Sequence, residues 1–371
     1  MTNIIIGADI VPTEFNMELF INGDVEALFG RGILDVLDKS DLRIFNLETP
    51  LCDVKKPIPK CGPNLIAPTA SVKGISAIKP SLLCLANNHI LDHDEQALFK
   101  TLEVLDKEGI NHCGAGKNLE EAKKPFILHK NGLKIGIYTC AEHEFTIAND
   151  NSAGANPYEP LVSFDHVSEL KKVCDYVIVL YHGGREEYRY PSPNTQKVCR
   201  KFIEKGADLI ITQHTHCIGC YEDYKGGTIV YGQGNFMFIY GEDDSEEWQT
   251  SILVNIRISD DKKVTVDYIP LTRHDNGMRL SNDEEGKEIL DAFYRRSREL
   301  SEDPGFAKDK WGEYCSKTNM IERLVKNFTA IGDNEDNIKA NMVVYNMIHC
   351  EIHREVFEEI MFTRWKRFMQ K

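Results

Sequence analysis

Short apolar runs that end in polar residues recur along the chain and predict a buried sheet. At residues 82–86, five apolar residues are followed by Asn87, Asn88 and His89. The run is too short for a typical helix and does not alternate, so it predicts a strand buried on both faces. Open α/β sheets bind ligands beyond the carboxyl ends of their strands. The amides and the imidazole are therefore candidate ligands, and the alternative is a polar turn with an asparagine helix cap.

Other apolar runs end in the same way, and together they place six polar groups at the ends of five predicted strands. The six are Asp9, Glu48, Asn88, His182, His214 and His216. Carboxylate and amide oxygens and imidazole nitrogens are the ligands of hard-to-borderline divalent metals. A single aspartate after a strand is usually a turn former, and a single histidine is usually a surface or core residue. Two imidazoles at i and i+2 beyond a strand can instead converge on adjacent metals.

The remaining pattern divides the chain into two regions. Asn131 and Gly132 form a strong hairpin signal between two strands, and residues 251–258 and 263–269 alternate as a second pair. Residues 55–68 contain four prolines and predict a loop that can overhang the site. From about residue 276 the apolar positions follow helical spacing. We therefore predict a domain at 1–275 and a helical extension at 276–371, which packs on the sheet or mediates association.

Composition excludes several classes of function. The chain is 42% hydrophobic and 27% charged, as in ordinary globular proteins. Its formal charge of −14 would repel nucleic acid and anionic membranes. The N-terminal apolar run is interrupted by Asp9 long before it could span a bilayer, so we expect neither a signal peptide nor membrane insertion. Eleven cysteines scattered through strands and helices indicate reduced thiols and a cytoplasmic protein.

Three competing motifs are weak. The chain has no Gly-Lys-Ser/Thr phosphate loop, and the glycines at 114 and 116 do not continue into a dinucleotide fingerprint. Cys217 and Cys220 follow the two histidines as a Cys-x-x-Cys pair, which would suit a zinc or redox motif. Because no second such pair exists, a structural zinc site is disfavoured.

The order of the motifs resembles one protein family. The motifs are Gly7-Ala8-Asp9, Asn46-Leu47-Glu48-Thr49-Pro50-Leu51, Leu85-Ala86-Asn87-Asn88-His89, His182-Gly183-Gly184 with Glu186, His214-Thr215-His216 and Gly234-Asn235-Phe236. In this order they resemble the CapA family of capsule or poly-γ-glutamate biosynthesis proteins, within the calcineurin-like metallophosphoesterase superfamily. The resemblance spans residues 4–269. It implies an α/β fold of two sheets in a sandwich flanked by helices, with a metal centre at the strand ends.

The resemblance also implies roles for the candidate residues. One metal would be held by Asp9, Glu48 and His216, and a second by Glu48, Asn88, His182 and His214. His89 would be the general acid, with Asn88 beside it in the catalytic motif. One or two divalent ions are implied, either Mn²⁺, Zn²⁺ or Fe²⁺. Val11 stands where the superfamily has a histidine, so we expect the Asp9 site to bind more weakly than the His182 site.

The implied function is a metal-dependent hydrolase with a phosphoesterase-type site that serves capsule, poly-γ-glutamate or related surface-polymer biosynthesis. Its substrate would be an anionic small molecule or polymer. Substrate-binding candidates are Lys60, Arg31, Arg185, Glu186, Glu142 and His143, and the first three are predicted to lie in loops. One alternative is an amide or γ-glutamyl hydrolase or a peptide isomerase that uses the acids and the histidine at 142–144 as bases. Another is a non-catalytic scaffold of a polymer-synthesis complex. The C-terminal helices could then bind a partner or a second copy.

Overall fold

The computed structural model of the protein describes residues 1–241 and 245–369. In chain order the strands are β1 (Thr2–Val11), β2 (Leu42–Leu47), β3 (Leu82–Cys84), β4 (His112–Cys113), β5 (Ala115–Gly116), β6 (Phe126–Lys130), β7 (Leu133–Ala141), β8 (Gly154–Ala155), β9 (Tyr176–His182), β10 (Leu209–Gln213), β11 (Ile218–Tyr224), β12 (Gly227–Gln233), β13 (Met237–Phe238), β14 (Thr250–Ile258), β15 (Val264–His274) and β16 (Gly277–Leu280). They form two large sheets and one small pair.

The helices lie between the strands and after them. In chain order they are α1 (Met17–Asn22), α2 (Val25–Asp38), α3 (Val72–Ala77), α4 (Asp94–Lys107), α5 (Leu119–Ala122), α6 (Ser163–Val173), α7 (Pro193–Glu204), α8 (Glu246–Gln249), α9 (Asp283–Glu302), α10 (Phe306–Lys317), α11 (Met320–Phe328), α12 (Ile338–His349) and α13 (Glu351–Met369). Short 3₁₀ turns lie at Thr69–Ser71 and Glu335–Asn337. Among the described residues, no helix combines the length and apolar character that a membrane span requires.

The two large sheets pack face to face. The first has the order β16-β15-β14-β1-β2-β3-β4 with β13 beside β1, and the second has the order β11-β12-β10-β9-β7-β6. Their inner faces share one core, in which Ile6 and Ile44 of the first sheet meet Ile178 and Ile211 of the second. Helices α1 to α4 pack on the outer face of the first sheet. Helices α6 and α7 pack on the outer face of the second.

This arrangement confirms the predicted two-sheet sandwich flanked by helices. The hairpin between β6 and β7 turns at Asn131 and Gly132, which both have positive φ, as a tight two-residue turn requires. The predicted pair of strands is also confirmed, because β14 and β15 are antiparallel along their length. The strand at residue 82 is shorter than its apolar run, and the chain leaves the sheet after Cys84.

The C-terminal region is helical, as predicted, and its first elements join the sheets. Strand β16 pairs with β15, and α9 packs its Phe293 ring 4.6 Å from Tyr268 and 5.5 Å from Tyr221. Helices α10 to α13 form a further core around Trp311 and Cys350. The division of the chain at 275/276 stays a prediction, and the last two residues of the predicted extension lie outside the described residues.

Candidate metal centre

The first two strands bring two acidic side chains to one edge of the sandwich. Asp9 lies near the end of β1 and is 1% exposed, and Glu48 directly follows β2 and is fully buried. The register between β1 and β2 shifts between Ile6 and Asp9. Gly7 lies inside this irregular stretch, where a Cβ would come 2.6 Å from the Phe45 ring. The close packing therefore fixes the path of β1 as it carries Asp9 into the site.

His182 and Asn88 meet Glu48 from two other strands. His182 is the last residue of β9, and its Nε2 lies 3.1 Å from Oε1 of Glu48 and 2.9 Å from Oδ1 of Asn88. Asn88 lies in the turn that follows β3. The structure therefore places an imidazole, a carboxylate and an amide oxygen within reach of one another, as the sequence predicts for a metal site.

The two histidines after β10 complete the cluster. His214 and His216 offer ligand atoms that lie within 4.8 Å of one another and of a Glu48 carboxylate oxygen. Both residues have positive φ, +87° and +53°, which is costly for residues other than glycine and is typical of functional sites. The ring of Trp248 stacks on that of His216 at 5.0 Å.

The electrostatics of this cluster fit a divalent cation. Both carboxylate oxygens of Glu48 and Nδ1 of His214 are buried and have no hydrogen-bond partner among the described residues, although Glu48 is within ion-pair distance of His182. Burial raises the pKa of Glu48, and burial and the charge of Glu48 raise the pKa of Asp9 to about 6. Burial lowers the pKa of His182 to about 4. Burial also lowers the pKa of His214, whereas the charges of Glu48 and Asp9 outweigh burial and raise the pKa of His216. Buried carboxylates beside two imidazoles that resist protonation are a donor set that a metal ion stabilises.

A second group of residues lies beside the cluster and was only partly predicted. Nδ1 of His89 donates to Oδ2 of Asp92 at 2.5 Å, and Nζ of Lys60 donates to Oδ1 of the same carboxylate at 2.5 Å. Asp92 is fully buried, and the Lys60 side chain is 2% exposed. Lys60 comes from the proline-containing loop predicted to overhang the site. No sequence signal marks Asp92, because its role depends on the turn that folds it back onto His89.

Three asparagines support the predicted ligands. Asn46 donates from Nδ2 to Oδ1 of Asp9 at 2.6 Å, and Asn87 donates to Oδ1 of Asn46 at 3.2 Å. Asn235 lies 2.9 Å through Oδ1 from Nδ1 of His216. All three lie inside the motifs that carry the family resemblance, and that position is the one sequence signal for their role. Such outer contacts orient ligands and fix imidazole tautomers.

The predicted substrate-binding residues are divided between several places. Nζ of Lys60 donates to Asp92 and to the main-chain oxygen of Asn88, so its charge is already paired within the protein. Arg31 was predicted to lie in a loop, and this is wrong. It lies on α2 directly after a kink at Gly30, is 70% exposed and pairs with Asp35 one turn later.

The other candidates lie close to the C-terminal helices. Oε1 of Glu142 accepts a hydrogen bond from Tyr181 at 3.0 Å, and Nδ1 of His143 lies 2.6 Å from Oε1 of Glu351. Arg185 donates from Nε to the Tyr314 hydroxyl at 2.5 Å. Glu186 is exposed, and its charge contributes to the raised pKa of Glu48. Glu142 and His143 are therefore engaged with partners other than the predicted metal ligands.

The sandwich of two sheets carries carboxylates, amides and imidazoles at its strand ends, which together form a candidate metal centre. The family profile described as "Bacterial capsule synthesis protein PGA_cap" matches residues 9–240, more than half of the chain. The chain belongs to this family, and the predicted resemblance is confirmed.

Two relatives illustrate the relationship. The capsule biosynthesis protein CapA of Bacillus anthracis is 29% identical over 250 residues, covering 65% of this chain and 60% of that protein. The PGA biosynthesis protein CapA of Bacillus subtilis is 33% identical over 174 residues, covering 46% of each chain. The chain therefore spans about half to three fifths of the length of these relatives.

Two solved structures share the arrangement only distantly. A phosphatase from Mycoplasma pneumoniae has a TM-score of 0.47 and 14% identity, covering 74% of this chain and 94% of that one. A 5'-nucleotidase precursor from Thermus thermophilus has a TM-score of 0.45 and 13% identity, covering 79% and 58%. These similarities are too distant to transfer an activity or a ligand.

Proposed function

We propose that the protein is a metal-dependent hydrolase with a phosphoesterase-type site that acts in the synthesis of capsule, poly-γ-glutamate or a related surface polymer. The observation that carries the proposal is the buried cluster of Glu48, His214 and His216, which His182 and Asn88 adjoin. A cluster of this kind is unfavourable without a cation, because its carboxylate oxygens have no hydrogen-bond donor.

The predicted ligands have distinct tasks in this site. Glu48 lies within reach of His182 and of the two histidines after β10, so it could contribute to both ion sites. A divalent ion bound there would polarise a phosphoryl oxygen and lower the pKa of a bound water. Asp9, held by Asn46, would complete the side of the centre nearest His216, whose Nδ1 is 3.8 Å from Oδ2 of Asp9.

His89 is placed to handle the proton of the leaving group. Because Asp92 accepts from its Nδ1, the tautomer is fixed and Nε2 is the nitrogen left for the substrate. Lys60 balances the charge of the carboxylate that orients the ring. The buried triad of Lys60, Asp92 and His89 therefore holds one proton-transfer group beside the metal ligands, in the arrangement that general acid catalysis requires.

The assignment to polymer synthesis is supported by the family. The relatives from Bacillus carry the names capsule biosynthesis protein and PGA biosynthesis protein, and the family profile spans residues 9–240, which include every predicted metal ligand. An anionic polymer or its precursor is accordingly the substrate class that we propose. The cytoplasmic location stays a prediction.

The test is a panel of phosphoesters and γ-glutamyl peptides assayed with Mn²⁺, Zn²⁺ or Fe²⁺. We expect phosphoester hydrolysis that requires metal and falls at least ~100-fold in His89→Asn, within the usual range for loss of a general acid. His129→Asn, on the exposed edge of β6, is the matched control and should keep full activity. Hydrolysis of γ-glutamyl peptides alone would contradict the phosphoesterase assignment. Bound metal without any turnover would instead indicate a scaffold.

A further inference from the structure

The loop that follows His182 carries an arginine whose charge is not paired at close range. Arg185 is partly buried, and its guanidinium is held by two neutral groups: the Tyr314 hydroxyl, 2.5 Å from Nε, and Nε2 of His353, 3.4 Å from Nη1. Within the described part of the chain, no carboxylate lies within 4.0 Å of it. The charges of Glu186 and Glu187 act on it only at longer range. Buried charges are normally paired, so this guanidinium is open to an anion.

A small cavity adjoins this arginine and is lined without any acidic residue. Its volume is about 70 Å³, and its lining residues are Cys61, Arg185, Thr318, Asn319, Met320, Arg323, Val343, Asn346, Met347 and His353. In a chain with a formal charge of −14, two arginines and no carboxylate in one cavity are a selective environment for an anion. The volume suits a group of a few atoms, because a water molecule takes up about 30 Å³ in the liquid.

Two further groups in the cavity can contribute to anion binding. Arg323 is exposed, and no described carboxylate lies within 4.0 Å of it. Asn346 is 4% exposed, its Nδ2 lies 3.3 Å from Sγ of Cys61, and its Oδ1 has no hydrogen-bond partner. If the Asn346 amide is rotated by about 180°, its oxygen can accept a hydrogen bond from the Cys61 thiol. The amide N–H groups then take the position of the unpartnered oxygen and can donate to an anion.

Two short stretches of chain link the cavity to the candidate metal centre. Cys61 follows Lys60, which contacts His89, and Arg185 is three residues beyond the predicted ligand His182. A substrate bound at the metals could therefore place an anionic substituent in this cavity.

The C-terminal helices build most of the cavity and are fixed to the segments that follow β7 and precede α7. Glu351 at the start of α13 binds His143 through its ring and its main-chain nitrogen, at 2.6 and 2.8 Å. Glu355 on the same helix binds Ser192 at 2.5 Å. The family profile ends at residue 240, so eight of the ten lining residues lie outside the matched region.

We propose that Arg185 and Arg323, joined by the C-terminal helices, form a subsite that binds a carboxylate of the substrate beside the metal centre. The inference rests on the proposed function in one respect, since the carboxylate belongs to the molecule that is hydrolysed. It makes the helical extension a specificity element of the active site. Chains of the family that lack these helices would lack this selectivity.

The test is a calorimetric titration of the full-length, metal-containing protein with malonate. We expect binding that is about tenfold weaker in both Arg185→Gln and Arg323→Gln, as the loss of a charge-assisted hydrogen bond predicts. Arg364→Gln on α13 is the matched control, because its side chain is 55% exposed and does not line the cavity. Arg185→Lys, which keeps the charge, should recover part of the affinity. Metal content should be the same in all variants.

The outcomes separate this subsite from the proposed function. No malonate binding, or binding unchanged in both glutamine variants, would overturn the subsite even if the protein hydrolyses phosphoesters. Weakened binding in a protein that hydrolyses no ester would support the subsite and refute the proposed function alone. Because Arg323 is exposed, its substitution tests the subsite without endangering the fold. For an active enzyme, Arg323→Gln should raise KM for a carboxylated phosphoester and leave KM for its uncharged analogue unchanged.

Discussion

Asp92 offers the sharpest single test of how the candidate site is held together. Its carboxylate is fully buried and accepts from Lys60 at 2.5 Å, from His89 at 2.5 Å and from the main-chain nitrogen of Leu65 at 2.6 Å. Asp92→Asn keeps the shape of the side chain and can still accept from Leu65. It removes the negative charge that balances Lys60.

The expected cost follows from what remains after the substitution. Removing one partner of a buried ion pair typically costs about 3–5 kcal/mol in the free energy of unfolding, because the other charge stays buried and unpaired. Lys60→Met should cost less than Asp92→Asn, because Asp92 keeps His89 and the main-chain donor. The double variant should lose less free energy of unfolding than the sum of the two single losses, by about 1–3 kcal/mol, because it leaves no buried charge without its partner.

The unsubstituted protein, the two single variants and the double variant form a double-mutant cycle. Urea unfolding of these four proteins measures the free energies directly. Elemental analysis serves as the control, because neither Asp92 nor Lys60 is a predicted metal ligand and metal content should not change. For an active enzyme, kcat should fall in Asp92→Asn, since the tautomer of His89 is no longer fixed. Additive costs in the cycle, or an Asp92→Asn protein as stable as the unsubstituted chain, would refute the argument that this is a coupled buried pair.

Four further predictions concern charge, metal and substrate. Burial and the charge of Glu351 raise the pKa of Glu142 to about 8. The stability that the neutral carboxyl contributes is therefore complete below pH 4.5 and is lost as pH rises through 8. Glu142→Gln should flatten this decline in thermal unfolding curves. The hydrogen bond to Glu351 raises the pKa of His143. Glu351→Gln should therefore destabilise the protein most between pH 4.5 and 6.5, and less as pH rises through the raised pKa of His143. An equal loss of stability at a pH of about 9 would contradict the pairing. His182→Ala should lose bound metal in elemental analysis and keep its circular dichroism spectrum. Arg31→Gln should leave KM unchanged in any active assay, because its side chain is exposed and paired on its own helix.

The apolar runs were enough to predict the sheets and the strand ends at which the candidate ligands lie. Strand β9, for example, is buried throughout and ends at His182, where the sequence predicts a strand end. Burial on both faces produces an uninterrupted hydrophobic pattern, and the strand must end where polar side chains begin. Strand β11 was missed because residues 218–224 mix glycine, acids and aromatic residues and show no clean alternation.

The contacts that refine the site could not be predicted, because they depend on tertiary packing. Asp92 lies within a turn, and nothing in its spacing shows that it would face Lys60 from a distant loop. Tyr314 and His353 lie on helices whose apolar stripes indicate only that they pack on something. Helical periodicity gives the buried face of a helix but not the surface against which that face packs.

Anomalous diffraction from crystals soaked in Mn²⁺ tests the central claim most directly. The account predicts a strong peak among Glu48, Asn88, His182 and His214, with a weaker peak or none beside Asp9, because Val11 supplies no ligand there. A strong peak at Asp9 with none at His182 would reverse the predicted order of the two sites. No peak near Glu48 at full soaking would contradict the assignment of this cluster as a metal centre.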